Sequence, residues 1–271
     1  MKSPKELNID NKLVNMVDAF ALSGKALKAV KLLLASEEIQ AVQGFANTVS
    51  IVRLGYNDHG PVHMRKVTET AVLMLELLKK AGIKTTLETD GCGDFEDSLI
   101  ALILGAILHD IGMCMGRTNH ELHSTIMAQP IINNILANVY EGSWQKRVMV
   151  SSIAMEGIAG HMGTIAISSL EAGIIQVADG CDMTKGRARI PIAMSNTPRV
   201  GDIHQYSAGS IEKVNISAGS EKPIRIDVNM SGEVGLFQVE EVLMHKISKS
   251  PAKVHIELYA QVEKNPAKRY L

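Results

Sequence analysis

His109 and Asp110 stand side by side in ILHDIGM, at the end of an apolar run, Leu99 to Leu108, that reads as buried. Other ionisable residues also sit on apolar faces. His63 has Val67, Ala71 and Met74 at helical steps of four, eight and eleven, which turns it toward the core. His123 has Ile126, Met127 and Ile131 at steps of three, four and eight, and Asp179 follows Ile175 and Ala172 by one and two turns. His161 falls in AGHMGT, a flexible stretch from which a side chain can be aimed at a site. Buried without partners, such groups would cost several kcal/mol each. Divalent cations resolve that cost. Imidazole and carboxylate without thiolate suit Mn, Fe, Co, Ni, Zn or Mg, and two divalent metal ions would balance two carboxylates and a bridging hydroxide. The alternative is a hydrogen-bonded His/Asp network without metal.

Positioning six such groups requires several helices, and the chain provides them. From about residue 10 to 183 apolar residues recur at three- and four-residue spacing. One helix is expected from Pro61 to about Lys80, ended by Gly82, and another from an Asp94 cap to the His-Asp pair. Further helices are expected near 121–139, kinked or divided at Pro130, near 144–159, and near 169–183. Beyond them SIEKVNIS, KPIRIDVNM and KVHIELYAQV alternate with period two, and VEEVLMHKISKS has helical spacing, which predicts a small ββαβ unit. The expected fold is mainly α: a helical bundle over 1–197 followed by a small α+β accessory domain over 203–263.

With 46% hydrophobic and 21% charged residues, the 271-residue chain has material for a substantial core. A net charge of -1 gives no general attraction to polyanions, so neither nucleic acid nor a membrane surface is an expected partner. Cys92, Cys114 and Cys181 are far apart and form no CxxC, which argues against disulfides and thiolate zinc and fits a reducing cytoplasm. The polar opening MKSPKELNIDNK has no apolar leader, and Leu99–Leu108 is too short to span a bilayer.

The ordered set His63, His109-Asp110 and Asp179, with NDHGPVHMRKV before it, ILHDIGM within it and QVADGCDMTKGRARIP after it, resembles the HD-domain superfamily of metal-dependent phosphohydrolases over roughly residues 50 to 195. The resemblance implies an HD-domain helical bundle in which His63, His109, Asp110 and Asp179 hold one metal. Two further histidines, in the places of His123 and His161, would hold a second ion bridged by Asp110. His59 competes with His63, but Gly60 and Pro61 place it before the helix; His120 competes with His123, which shares its face with more apolar residues. Asp182 is a supporting or substrate-contacting residue.

The implied reaction is hydrolysis of a phosphate ester or anhydride by a metal-bound hydroxide, with Asp110 and His109 as the catalytic pair. The implied substrate is a phosphorylated small molecule such as a nucleotide. Lys185, Arg187 and Arg189 are candidate phosphate contacts or a solvated basic turn, Arg65 or Lys66 could border the cavity, and Glu121 and Glu156 could orient ligand imidazoles. An HHE...DGxGYP signature is missing, which argues against cyclic di-GMP as substrate. Two other readings of the same ligands are a di-iron oxygenase and a nucleotide-binding regulator without turnover. The tail is a candidate homo-oligomer surface, lid or effector module.

Overall fold

The computed structural model describes residues 2–186 and 202–271. Its centre is α6 (Phe95–Leu108), every residue of which is buried. Asp94 starts it with a capping box: its side chain accepts from the Asp97 N–H at 2.9 Å, and the Asp97 carboxylate accepts from the Asp94 N–H at 3.0 Å. Tyr140 Oη donates to Asp97 at 2.6 Å, so the cap is tied to the far end of a neighbouring helix. Extended through Cys114, α6 is long and apolar enough to cross a membrane, but 94% of that window is buried inside the protein. Its apolar surface is used by the core.

Around α6 pack α2 (Lys25–Ala35), α4 (Pro61–Lys80), α8 (Trp144–Gly160) and α9 (Leu170–Cys181), with α1 (Pro4–Asp18), α3 (Glu37–Thr48) and the short α5 (Thr86–Thr89) outside or beside them. The α4 bounds match the Pro61 start and Gly82 stop read from the sequence. Arg65, 2% exposed, clamps α4 to α1 and α3 by donating to Asp10 at 2.7 Å, Gln43 at 2.8 Å and Gln40 at 2.9 Å. The helix α7 (His120–Val139) runs through Pro130 undivided, so of the expected kink or division the division does not occur. Pro130 is exposed, on the side of α7 away from the core, where one missing N–H bond does not interrupt packing.

After α10 (Asp202–Ser210), a helix the sequence did not announce, comes a four-stranded sheet in the order β1 (Ile211–Ala218), β2 (Ile224–Met230), β3 (Ile256–Val262), β4 (Lys268–Arg269). The first and last pairs are antiparallel, and β2–β3 is parallel with Ile226 opposite Leu258. A parallel pair needs a crossover. It is made by a π-helical stretch, Gln238–Leu243, running into α11 (Met244–Lys249) and a 3-10 segment, Pro251–His255. The ββαβ order is as expected, with β4 added at the edge. This α+β unit is not a loose appendage: its crossover lies on α9, and Leu243, Ile247 and Ala252 join the same core as α6. Gly180 permits the contact, because a Cβ there would sit 3.1 Å from Leu243 Cδ1 and 3.2 Å from Lys246 Cδ.

Candidate metal centre

Helix ends build the site. At the C-terminus of α6 the last carbonyls lack intrahelical donors, and His109, its C-cap, donates Nδ1–H to Ala106 O at 2.8 Å. His161 does the same at the end of α8, donating to Ile158 O at 2.7 Å. His120, the first residue of α7, donates Nδ1–H to Arg117 O at 2.9 Å. A carbonyl only accepts, so each of these imidazoles carries its proton on Nδ1 and in the neutral state presents a bare Nε2. His63, inside α4, reaches the same condition through a carboxylate: its Nδ1–H donates to Asp182 Oδ2 at 2.8 Å. The core helix therefore ends in His-Asp because the imidazole satisfies the helix end and aims its other nitrogen past it.

The four Nε2 atoms converge on Asp110 and Asp179. On one side His63 Nε2 and His109 Nε2 lie 3.2 Å apart, 3.2 and 3.3 Å from Asp110 Oδ2, and 3.2 and 3.7 Å from Asp179 Oδ1. On the other side His120 Nε2 and His161 Nε2, also 3.2 Å apart, lie 3.1 and 3.3 Å from Asp110 Oδ1. Asp110 thus gives one oxygen to each side. Its place is set by Gly112, where a Cβ would fall 2.1 Å from His120 O and 2.4 Å from Ser124 N, so only glycine lets the turn after Asp110 reach the first turn of α7. All six residues are buried, from 0% to 6% exposed.

Facing lone pairs and carboxylate oxygens repel one another unless positive charge lies between them. Donor atoms that share an ion through bonds of about 2.1 Å stand roughly 3–3.5 Å apart, as these do. The donor set fits two divalent cations: His63, His109, Asp110 and Asp179 for one, and Asp110, His120 and His161 for the other. The groupings within metal-binding reach include His63–His109–Asp110 and Asp110–His120–His161. The local charges also shift titrations. Burial opposes charge on Asp110, yet His109 and His59 hold its carboxyl well below the usual range; Asp179 is held low by Lys246 and His109. Burial pushes His161 down to about 4, whereas the charges of Asp110 and Asp179 outweigh burial at His109 and raise it.

Behind the His63 side stand two ammonium groups. Lys66 reaches Asp182 Oδ1 at 3.3 Å, and Lys246, 6% exposed, donates to Asp179 Oδ2. Lys246 comes from α11, so the C-terminal unit contributes a side chain to the centre.

Of the six candidate ligands, His63, His109, Asp110, His161 and Asp179 meet, and His123 does not. His120 takes its place. His120, Ser124, Ala128, Ile131 and Ile135 form the buried face of α7, whereas Ile126, counted beside His123, is 70% exposed. His123 Nδ1 finds no partner among the described residues. His59 lies before α4, bonded through Nδ1 to Asn57 O at 2.6 Å. Lys185 is exposed and pairs with Glu212 at 2.5 Å, as the solvated basic turn of the two alternatives would have it. Arg187 and Arg189 lie outside the described residues. Glu156 caps the start of α9 through the Ser168 and Ser169 N–H groups, while Glu121 approaches His120 Nδ1 at 3.2 Å. Lys246 was missed, because a contact across 67 residues carries no periodic signal.

The family model described as HD domain matches residues 62–184. An uncharacterized protein of Methanocaldococcus jannaschii is 44% identical over 232 residues, covering 86% of this chain and 87% of the relative. No solved structure matches the chain.

Proposed function

This chain belongs to the HD domain family, within the metal-dependent hydrolase superfamily, and from that premise we propose that it hydrolyses a phosphate ester or anhydride of a small molecule, a nucleotide among the candidates. The observation that carries the reading is the convergence of four Nε2 lone pairs on the two oxygens of Asp110. Two divalent ions bound there would lower the pKa of a water toward 7 from about 15.7 and neutralise charge on phosphoryl oxygens.

The protein's own part is positioning. Asp110 fixes the spacing of the two sides through its two oxygens. Asp182 holds the His63 ring in one tautomer and orientation, with Lys66 holding Asp182 in turn. Lys246 fixes Asp179 Oδ2 and leaves Oδ1 toward His63. Near-complete burial of the six donors excludes bulk water, which strengthens every charge interaction among them. In-line attack on phosphorus needs alignment and charge neutralisation more than covalent help, and this site is built for both.

The test is to strip the protein with chelator, reload it with Mn, Fe, Co, Ni, Zn or Mg, and assay phosphate release from a panel of nucleotides and sugar phosphates. Two ions per chain and metal-dependent phosphate release are expected. A protein that retains no metal, or one that consumes oxygen when iron-loaded and releases no phosphate from any ester, overturns the reading.

A further inference from the structure

Arg117 lies in the loop between the 3-10 turn Ile111–Cys114 and α7, half-buried, and its guanidinium is aimed at the centre. Nη1 is 3.4 Å from His59 Nε2 and 3.5 Å from His120 Nε2, and Nη2 is 3.8 Å from Met162 Sδ. These are long contacts to poor partners. A thioether is a weak acceptor, and His120 Nε2 is one of the lone pairs that converge on the metal site. A guanidinium matches two oxygens of a carboxylate or phosphate, and among the described residues no carboxylate comes within 4.0 Å of Arg117.

Among the described residues, the other cations near the centre are already matched. Lys66 is on Asp182, Lys246 is on Asp179, and Arg65 spends its guanidinium on Asp10, Gln43, Gln40 and the Pro61 carbonyl. Arg65 shows what a satisfied arginine looks like in this protein. Arg117 is held as firmly by its backbone, since its carbonyl accepts from His120 Nδ1 at 2.9 Å, yet its charged head is uncommitted. It also stands on the His120 and His161 side, where among the described residues Asp110 is the carboxylate paired with the two Nε2 atoms and Glu121 meets the imidazoles only at His120 Nδ1, at 3.2 Å.

We propose that Arg117 binds the phosphoryl group of the substrate, its two terminal nitrogens each taking a non-bridging oxygen beside the His120 side of the centre. This rests on the phosphohydrolase reading and names the residue that Lys185 was expected to be. The guanidinium would add its charge to that supplied by ions held at the centre, and its fork favours tetrahedral oxyanions with two free oxygens.

The experiment titrates the Mn-loaded wild type, Arg117→Gln and Arg117→Lys with inorganic phosphate by calorimetry, with metal content and melting temperature measured for each. Arg117→Gln is expected to weaken phosphate binding at least tenfold while keeping its metal and its melting temperature. Arg117→Lys, which keeps charge and loses the fork, is expected between the two. Phosphate binding by Arg117→Gln equal to wild type overturns the assignment and leaves the proposed function standing. Loss of metal by both variants overturns it too, since Arg117 would then serve only to hold His120. A wild type that binds metal but no phosphate overturns the assignment and the phosphohydrolase reading together.

Discussion

The two sides of the centre share Asp110 and differ in what stands behind it. The His63 side has a second carboxylate, Asp179, in direct reach, and Asp182 behind its imidazole, with Lys66 and Lys246 matched to them. The His120 side has backbone carbonyls behind its imidazoles, with Glu121 also within 3.2 Å of His120 Nδ1, and Arg117 beside them. A divalent ion held on the first side would have two carboxylates within reach, and one held on the second only the shared Asp110. Affinity rises with carboxylate charge, so the ions should load in order, the His63 side first. Among the described residues the cation near the centre without a carboxylate partner, Arg117, lies on that weaker side, where the proposed anionic substrate would add the negative charge that the protein leaves short.

The largest effect comes from abolishing what the sides share. Asp110→Ala should lose both ions and reduce turnover by on the order of a thousandfold or more, as removal of several kcal/mol of charge stabilisation implies. Metal analysis and phosphate release on the same preparation read both. Retention of both ions would break the comparison, because the sides would then have no common member. Next come the single-side variants. Metal titration of Asp179→Asn should show the tight phase gone, whereas His161→Ala should keep it and lose the weak one. Equal loss from both phases in either variant would mean that the sides do not load separately. Asp182→Ala touches neither ion and only frees the His63 ring, so it should weaken the tight phase by about 10- to 100-fold and leave the weak phase in place.

The difference between the sides also explains how much of the site could be read from the chain. The His63 side was legible because its residues lie within strongly periodic helices: His63 shares a face with Val67, Ala71 and Met74, and Asp179 with Ile175 and Ala172, all confirmed as buried. The same periodicity predicted α4, the Asp94 cap of α6 and the β2 alternation that buries Ile224, Ile226, Val228 and Met230. The His120 side misled the reading, since after His120 the inward face of α7 continues through the small residues Ser124 and Ala128, Ser124 being the one against which the turn at Gly112 packs. The larger Ile126 points to solvent. Residue size marked the wrong face. Lys246 was beyond any local pattern, because only the docking of the C-terminal unit on α9 brings it to Asp179. β4 is two residues long and α10 has only a weak amphipathic pattern, so neither left a periodic signal.

The smallest effect is in the pH dependence of the metal-free protein, where the two sides should pull in opposite directions. His109, on the His63 side, is raised above its ordinary value of 6.5. The folded protein holds that proton more tightly than the unfolded chain, so its contribution to stability is complete below about 6.5 and is lost as pH rises through the raised value. His161, on the other side, is pushed down to about 4 by burial. Between about 4 and 6.5 the unfolded chain binds the proton and the folded protein does not, so stability is lost as pH falls through that window. His255, lowered by burial and Lys222, adds to the same acid-side loss. Chelator-treated protein should therefore melt highest near pH 6.5. Melting curves of His109→Asn should flatten the alkaline limb and change the acid one less, since the His109 charge adds to the burial that lowers His161, and those of His161→Asn should make the acid limb shallower with His255 accounting for the remainder. Metal loading should flatten the alkaline limb in the wild type as well, because an ion then replaces the proton at His109 Nε2. A metal-free protein whose stability rises steadily from pH 6 to 8 would show that Asp110 and Asp179 do not govern His109 and that the two sides are electrostatically alike.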